Sequence, residues 1–259
     1  MNEHAKKSTV SRRVYIIDQL NTFGQVDVAA LSKALDVSEV TIRNDLGKLE
    51  EQHVLIRARG GAIKVDRVGT DFSLSDKNKQ HLEEKKRVGQ AAAALVREGE
   101  TIILDSGTTT MEIARNLQKS MPVTVITNAI NIVNQLNEHE NVNIIVPGGV
   151  LRKKSQSLVG TTAEESFKNY HCDKLFLAVD GFDPAYGIST PNLEEAHINR
   201  VMIDISYQVI VVTDSSKFRK RCLAFIAPVS KIHMVITDNR ILPDDQKKLE
   251  NAGIKVIIV

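Results

Sequence analysis

The sequence predicts an α/β protein with two domains, a small winged helix-turn-helix domain followed by a larger, doubly wound α/β domain. Apolar residues recur at helical spacing over residues 12–52. From Thr101 onward, short β-branched runs alternate with helical stretches, which is typical of a mainly parallel sheet covered by helices. We expect the domains to cover residues 8–64 and 75–259, with a linker at 65–74 where the periodicity breaks.

The composition is that of an ordinary globular protein. Of the 259 residues, 42% are hydrophobic, so the chain can bury a sizeable core, but a net charge of +2 is too small to indicate nucleic acid by itself. No apolar run reaches the roughly 18 residues that a membrane span requires. The cysteines, Cys172 and Cys222, lack metal-site spacing. We therefore expect a cytoplasmic protein with no membrane partner, metal or cofactor.

Three helices are predicted in the N-terminal domain. The first covers residues 12–20, and Asp27 is a suitable N-cap for a second over 28–35. After a tight turn, Ser38 can cap a third helix over residues 39–52, whose apolar side chains share one face. Two helices joined by so short a turn indicate a helix-turn-helix.

Candidate DNA-contacting residues lie on the polar side of the third helix and on a hairpin behind it. In the major groove Arg43 can pair with guanine and Asn44 with adenine. Residues 54–64 are predicted to form a hairpin wing whose arginines face the DNA backbone or the minor groove. The candidate set is Ser38, Glu39, Val40, Thr41, Arg43, Asn44, Arg57, Arg59 and Gly60. The alternatives are a small helical domain that binds protein and a winged helix used only for dimerisation.

The N-terminal domain resembles a known family more closely than it resembles a generic helix-turn-helix. The resemblance is carried by Arg12, Ile16, Leu20, Ser38, Thr41, Ile42, Arg43, Asn44, Asp45, Leu46 and the wing at 57–62. These positions are similar to the N-terminal signature of the DeoR family of bacterial sugar-responsive regulators. The resemblance implies that this domain binds double-stranded operator DNA.

A long helix is predicted from Ser75 to near Gly99, before the alternating part of the chain. Strands are predicted at 101–105, 122–126, 142–146, 173–180, 208–213, 233–237 and 254–259, and helices near 108–119, 129–138, 161–169, 192–206 and 243–252. Ligands of doubly wound sheets bind at the carboxyl ends of the strands, so the residues that follow each strand are candidates for a binding site.

The loop after the first of these strands is the best candidate for phosphate binding. It comprises Asp105, Ser106, Gly107, Thr108, Thr109 and Thr110 and enters a predicted helix. Free N–H groups, hydroxyls and the positive end of the helix dipole would all face a bound anion. An ordinary N-cap is the alternative, but it requires fewer hydroxylated residues than this loop contains.

Polar residues after other predicted strands complete the candidate ligand site. They are Asn128, Gly149, Arg152, Ser157, Asp180, Asp183, Asp214 and Lys217. The carboxylates could hold sugar hydroxyls, and the lysine could hold a phosphate. Taken singly, the Asp-Gly pair at 180–181 is as typical of a turn, and Asp214 of a helix cap. Their repeated placement at one edge of one sheet favours a ligand site.

The larger domain resembles the sensor half of DeoR regulators in the order of its segments at 106–109, 180–183, 194–195 and 214–217, and this resemblance adds Glu195 to the candidate ligand-binding residues. It is similar, more distantly, to ribose phosphate isomerases, and the implied fold is shared with glucosamine phosphate deaminases and CoA transferases. In those isomerases the matching loop holds the sugar phosphate, and the Asp-Gly-x-Asp carboxylates face the sugar. They also carry a lysine shortly after that motif, whereas the stretch 186–190 has none. We therefore expect binding without turnover.

Together the resemblances imply a transcriptional regulator, a repressor of a sugar-utilisation operon that a phosphorylated sugar releases from its operator. Residues 105–115, 155–157 and 169–171 are similar to the branch that controls N-acetylgalactosamine and galactosamine use. That similarity implies an amino-sugar or tagatose phosphate as effector. A homo-oligomer, either dimer or tetramer, is expected because one winged helix buries too little surface for specific binding. It would be nucleoid-associated when bound to DNA.

Two other functions are compatible with the same residues. One is an enzyme, a sugar-phosphate isomerase or deaminase with an appended DNA-binding module, which Asp180, Asp183, Glu195 and Lys217 would support. The other is an architectural DNA-binding protein with an empty α/β domain. Turnover of sugar phosphates would identify the first, and a melting temperature that no sugar phosphate changes would identify the second.

Overall fold

The chain divides into two compact units, Met1–Arg67 and Val68–Val259. The computed structural model describes residues 8–51, 54–58, 60–64 and 70–259. Arg59 and residues 65–69, the first half of the expected linker, lie outside the described residues.

The first unit combines helices with a small antiparallel sheet. Its described elements are α1 (Thr9–Phe23), β1 (Gln25–Asp27), α2 (Val28–Leu35), α3 (Glu39–Glu51), β2 (Leu55–Ala58) and β3 (Gly61–Lys64). The strands pair in the order β1-β3-β2. Ile16, Leu31, Ile42, Leu46 and Leu55 are buried in one shared core. This arrangement is a winged helix-turn-helix, as predicted.

Local signals start and stop these helices. The Asp27 side chain accepts the N–H of Ala30 at 2.9 Å, which caps α2. Helix α1 ends at Gly24, whose φ of 72° is left-handed. The pairing of β1 with the wing was not predicted, and it depends on Gly61, where a Cβ atom would lie 2.0 Å from the carbonyl oxygen of Val26.

The described part of the second unit alternates strands and helices around a central sheet. In chain order the elements are α4 (Leu74–Asn78), α5 (Leu82–Ala93), β4 (Thr101–Leu104), α6 (Thr108–Asn116), β5 (Val123–Ile126), α7 (Ile130–Leu136), β6 (Val142–Ile145), β7 (Val150–Arg152), β8 (Ser157–Val159), α8 (Thr161–Phe167), β9 (Cys172–Leu177), β10 (Gly181–Asp183), β11 (Gly187–Thr190), α9 (Leu193–Asp204), β12 (Ser206–Val212), β13 (Ala224–Ala227), β14 (Met234–Thr237), α10 (Pro243–Asn251) and β15 (Lys255–Ile258). The central sheet has seven strands in the order β15-β14-β12-β9-β4-β5-β6, and neighbouring strands are parallel. The predicted α/β fold class is confirmed.

Alternating side chains on the central strands divide the core into two layers. On β4, Ile103 packs into one layer, while Ile102 and Leu104 pack into the other. The layer of Ile103 includes Phe167 of α8, and the opposite layer includes Ile113 of α6. Helices therefore cover both faces of the sheet, which explains why its strands are continuous apolar runs.

The direction of strand addition reverses between β4 and β9. Strands β5 and β6 extend the sheet on one side of β4, and β9, β12, β14 and β15 extend it on the other. At such a switch point, the loops after two neighbouring strands leave toward opposite faces and open a crevice at the carboxyl edge. The crevice is bounded by the loops that follow β4, β9 and β12.

Two helices, α4 and α5, replace the one long helix that the sequence predicted after the linker. Between them the chain turns through His81, whose φ of 53° is left-handed. The buried amine of Lys85 donates to the carbonyl oxygens of Lys77 at 2.5 Å and Gln80 at 2.7 Å. A side chain thus satisfies carbonyls that a continuous helix would pair with its own N–H groups. A cap made by a side chain does not change the apolar periodicity from which the helix was predicted. The prediction of a single long helix was therefore wrong.

Shorter antiparallel elements were also not predicted. Strands β7 and β8 form a hairpin, and β10, β11 and β13 form a second sheet beside the central one. Within the described ranges, no helix is both long and apolar enough to cross a membrane. The same ranges contain no group of three or more His, Cys, Asp or Glu side chains placed to hold a metal ion.

Candidate functional site

The exposed side of α3 presents polar side chains around one apolar residue. Glu39 Oε2 lies 2.6 Å from Arg43 Nη2, and these side chains are 46% and 52% exposed. Val40 is 62% exposed. Ser38 accepts the N–H of Thr41 at 3.2 Å and shares a hydrogen bond of 2.9 Å with its hydroxyl. These candidate DNA-contacting residues therefore lie together at the N-terminal end of one helix.

The wing contributes an exposed arginine and a tight turn. The N–H of Arg57 donates to Glu50 Oε1 at 2.9 Å, which ties β2 to α3 and leaves the guanidinium exposed. Gly60 has a φ of 85° and turns the chain from β2 into β3. Asn44 is exposed on α3, whereas Arg59 lies outside the described residues.

Asp45 belongs to the signature of the third helix but is buried. Its carboxylate lies 2.5 Å from Arg12 Nε and 2.9 Å from Arg13 Nε. The side chain of Asp45 is 3% exposed and that of Arg12 is 9% exposed. The pair therefore fixes α3 against α1, and it orients the exposed side of α3 without facing DNA itself.

The second candidate site is the crevice at the reversal of the central sheet, here called the switch-point pocket. Loops after β4, β9 and β12 line it together with side chains from neighbouring helices. Its lining residues are Phe72, Leu74, Lys77, Lys85, Asp105, Ser106, Gly107, Thr108, Thr109, Ser155, Ala178, Val179, Asp180, Thr190, Glu195, Asn199, Thr213, Asp214 and Lys217. The fold thus brings the loop at 105–109 together with four other candidates, Asp180, Glu195, Asp214 and Lys217.

The loop after β4 reaches the pocket by packing closely against the end of β9. A Cβ atom at Gly107 would lie 2.6 Å from the Cβ of Ala178, so a larger residue would displace the loop. Behind it, the Thr110 hydroxyl donates to the carbonyl oxygens of Asp105 at 2.6 Å and Gly107 at 3.1 Å. Thr110 therefore supports the loop, and the hydroxylated residues before it line the pocket at the N-terminal end of α6.

Asp105 differs from the other carboxylates of the pocket. It is buried and accepts the backbone N–H groups of Ser106 and Ala178, yet burial and the nearby Glu195 raise the pKa of its carboxyl well above the usual value. With its amide nitrogen turned toward Asp105, Asn199 donates to Oδ1 at 3.3 Å. Burial therefore disfavours the charged form of Asp105, whereas Asp180 and Asp214 have lysine partners that favour theirs.

Asp180 and Asp214 are carboxylates that lysines keep charged. Burial acts against ionisation of Asp180, but Lys77 and Lys217 outweigh it and lower the pKa of that carboxyl. Burial acts in the same way on Asp214, where Lys217 and His81 lower the pKa. The floor of the pocket is therefore a cluster of alternating negative and positive groups.

Two pocket lysines come from helices that precede the sheet, and sequence reasoning missed them. Lys77 Nζ on α4 lies 2.7 Å from Asp180 Oδ1, and Lys217 Nζ lies 3.9 Å from the same atom. Lys85 on α5 is 4% exposed, and burial lowers the pKa of its amine to about 8. No motif marks these lysines, because only the tertiary fold brings them to the strand ends. The pocket therefore contains amines although the stretch 186–190 has none, so that absence alone does not decide against catalysis.

Arg152 and Ser157 lie beside the pocket and hold its wall. Arg152 Nη1 donates to Glu195 Oε1 at 3.0 Å and to the Ser155 hydroxyl at 2.8 Å, and Nη2 donates to Asp71. The buried Ser157 hydroxyl is 2.7 Å from that of Ser155. Their polar groups thus contact protein atoms rather than line the cavity.

Three further candidates lie away from the pocket lining. Asn128 Nδ2 donates to the carbonyl of Leu158 at 3.0 Å and anchors β8. Gly149 has a φ of 140° and leads into β7, where a side chain would meet β8. Asp183 accepts Arg221 Nε at 2.6 Å in the turn between β10 and β11. These three residues are therefore not part of the pocket lining.

Comparison with known families decides the class of protein. The pattern described as the DeoR C terminal sensor domain matches residues 80–239, and that of the DeoR-like helix-turn-helix domain matches residues 12–68. The chain belongs to the DeoR family. This DeoR-family protein is a DNA-binding transcriptional regulator and not an enzyme.

Similar relatives are regulators along their whole length. The DeoR-family protein is 45% identical over 253 residues to the "Putative aga operon transcriptional repressor" of Escherichia coli O157:H7, covering 97% of this chain and 94% of that one. It is 34% identical to the transcriptional repressor GlcR of Bacillus subtilis, covering 95% of each chain. It is also 34% identical to the regulator GlpR of Haloferax volcanii, covering 95% of this chain and 96% of that one. The first relative agrees with the branch that the sequence resembles.

The solved structures that the chain matches are more distant. The DeoR-family protein matches ribose 5-phosphate isomerase A of Methanocaldococcus jannaschii with a TM-score of 0.40 and 16% identity, covering 54% of this chain and 55% of that one. It matches the translation initiation factor eIF-2B of Pyrococcus horikoshii with a TM-score of 0.43 and 11% identity, covering 89% and 86%.

Proposed function

We propose that this protein represses a sugar-utilisation operon and that a phosphorylated sugar, bound in the switch-point pocket, releases it from its operator. The observation that carries the proposal is the pocket itself. Hydroxyls, a helix N-terminus, amines and carboxylates from distant parts of the chain converge there at the crevice of a doubly wound sheet.

The loop after β4 is the proposed phosphate subsite. Ser106, Thr108 and Thr109 line the pocket at the start of α6, where backbone N–H groups and the helix dipole favour an anion. Lys77 and Lys217 supply ammonium groups in the same pocket. Two cations beside hydroxyls and a helix N-terminus form a better phosphate site than either feature alone.

The carboxylates form the proposed sugar subsite. Asp180, Asp214 and Glu195 present acceptor oxygens for sugar hydroxyls, while burial disfavours the charged form of Asp105. Carboxylate oxygens would also accept a positively charged amino group on the sugar. The proposed effector is therefore an amino-sugar phosphate, with a tagatose phosphate as the alternative.

The first unit is the proposed operator reader. Arg43 and Asn44 would contact base edges in the major groove, Val40 a thymine methyl, and Ser38 and Thr41 the phosphates. Glu39 would orient Arg43 through their ion pair. Arg57, Arg59 and Gly60 would place the wing on the backbone or in the minor groove. We propose residues 8–64 as this domain, and a homo-oligomer that reads repeated half-sites in the cytoplasm.

The proposal requires the effector to bind two states of the regulator unequally. A sugar phosphate that bound the operator-bound and free forms equally well would release nothing, however tight its binding. The relatives named as repressors, one of them of an aga operon, support a negative sign for the regulation.

Ligand thermal shifts and gel shifts test the proposal together. The purified protein is incubated with galactosamine 6-phosphate, N-acetylgalactosamine 6-phosphate and tagatose 6-phosphate, and with galactosamine and inorganic phosphate as controls. We expect a sugar phosphate to raise the melting temperature of the protein and to release the protein from operator DNA. A protein that binds this DNA but responds to none of the sugar phosphates would contradict the proposed effector class.

Variants separate the two activities. Thr108→Val should weaken the thermal shift but preserve DNA binding, because Thr108 lines only the pocket. Lys48→Ala, which breaks an exposed pair with Glu51 on α3, is a control that should change neither activity. Loss of DNA binding in Thr108→Val would show that the pocket and the operator reader are not separate sites.

A further inference from the structure

Residues 70–78 lie over the switch-point pocket and are called the strap. Phe72, Leu74 and Lys77 of the strap line the pocket. Leu74 is buried, whereas Phe72 is 43% exposed. The strap is therefore held by the buried side chain of Leu74 together with two sets of polar contacts.

One set of contacts fixes the start of the strap. Asp71 accepts from Arg152 and lies 3.5 Å from Lys154 Nζ. The backbone N–H of Leu74 donates to the carbonyl of Lys154 at 2.9 Å. These contacts tie the strap to β7 and the turn that follows it, outside the pocket lining.

A second set fixes the end of the strap, and it lies inside the pocket. Lys77 Nζ is 2.7 and 2.8 Å from the two carboxylate oxygens of Asp180, a bidentate contact between α4 and the loop after β9. The Lys85 amine donates to the carbonyl of Lys77. Both amines therefore belong to the set of cations that an incoming phosphate would attract.

We propose that Lys77 is a phosphate-binding residue and that the effector's phosphate takes its ammonium group from Asp180, so that the end of the strap is held by the ligand and no longer by the loop after β9. The inference rests on the proposed function of the pocket. Lys77 would then both recognise the ligand and make the first movement that the ligand causes.

Charge decides the direction of this exchange. Asp180 carries one negative charge and shares it with Lys77 and Lys217, whereas a phosphate dianion carries about two charges on three acceptor oxygens. A phosphate at the start of α6 would therefore compete for Lys77. Asp180, once released, would be left to accept a sugar hydroxyl, so the lost ion pair is replaced on both sides.

Hydrogen exchange of residues 70–78 measures the strap directly. The full-length protein is compared with Lys77→Met, with Lys77→Arg, and with the matched control Lys79→Met, which changes an exposed lysine two positions further on. Without ligand, Lys77→Met should exchange faster in the strap, and the other two variants should resemble the wild type. The probe is galactosamine 6-phosphate, with inorganic phosphate and N-acetylgalactosamine 6-phosphate in parallel.

With the probe bound, the wild-type strap should exchange no faster than in the free protein, because the phosphate replaces Asp180 as the partner of Lys77. Lys77→Met should bind the probe about 10- to 100-fold more weakly, because one charge-assisted contact is lost, and Lys77→Arg should recover much of that loss. Wild-type affinity in Lys77→Met, or a wild-type strap that exchanges faster once the probe is bound, would overturn the inference and leave the proposed function intact. Failure of galactosamine 6-phosphate, N-acetylgalactosamine 6-phosphate and tagatose 6-phosphate to bind the wild type would instead remove the proposed function and this inference with it.

Discussion

The buried carboxylate of Asp45 provides the sharpest test of how the operator reader is held together. Asp45→Asn keeps the size of the side chain but removes its charge, so the Arg12 and Arg13 guanidinium groups lose their shared carboxylate. The Arg13 side chain is 30% exposed and can be hydrated in place, whereas that of Arg12 is only 9% exposed. The cost of the substitution therefore falls mainly on Arg12.

The expected loss is large for a unit of this size. Removing one partner of a buried ion pair costs about 3–5 kcal/mol. A unit the size of Met1–Arg67, at roughly 0.05–0.15 kcal/mol per residue, is stable by about 3–10 kcal/mol. Asp45→Asn should therefore remove a third or more of the stability of the first unit, and α3 should lose its fixed orientation.

Hydrogen exchange combined with gel shifts provides the assay. Protection should fall across α1 and α3 but not across β4, β9 or β12, and operator binding should be lost while the sugar-phosphate thermal shift is retained. Asp18→Asn is the matched control, because Asp18 is an exposed residue of α1. If Asp45→Asn kept wild-type protection in α3 and bound the operator normally, the reasoning from buried charge would be refuted.

Three further predictions follow from single residues. Arg43→Ala should reduce discrimination between operator and non-operator DNA by about 1–3 kcal/mol in competitive gel shifts, with the effector thermal shift unchanged; equal weakening on all DNA would argue for a phosphate contact instead. Gly107→Ala should abolish the thermal shift by displacing the loop, because its Cβ would meet Ala178, whereas Gly148→Ala, whose Cβ would lie 3.4 Å from its nearest neighbour, should retain it. For Lys85, burial lowers the native pKa to about 8 from 10.5, so between these pH values the unfolded chain holds a proton that the native protein has released. The free energy of unfolding of the wild type relative to Lys85→Met, from denaturant titrations, should therefore rise from pH 8 toward pH 10, and a flat difference would contradict the prediction.

The helix-turn-helix, the seven central strands and the helices between them were predictable because their signals are local. Asp27 and Ser38 cap helices within three residues of themselves, and the central strands are continuous apolar runs that need no partner to be recognised. The loop at 105–109 was also predictable as a candidate, because a strand that ends in a parallel sheet places its next residues at the carboxyl edge. The exposure of Val40 and Arg43 was also predictable, because the apolar residues of α3 are spaced to lie on its opposite face.

The candidates that lie outside the pocket show where such reasoning stops. Asp183 has the motif that marks a sugar ligand, yet it belongs to a short antiparallel sheet and pairs with Arg221. Asn128 and Gly149 follow central strands, but both residues contact the β7–β8 hairpin. A strand of three residues is too short to show an alternating pattern in the sequence. The contacts that such strands make with neighbouring side chains could therefore not be predicted.

The sequence by itself determined the helix-turn-helix and the order of the seven central strands and the helices between them, because periodicity and capping act over a few residues. The tertiary structure alone decided that Asp45 is buried between arginines and that Lys77 meets Asp180, 103 residues away along the chain. Which distant side chains meet depends on the reversal of strand order between β4 and β9 and on the fold of the strap. Those long-range arrangements form a site from residues that share no local pattern.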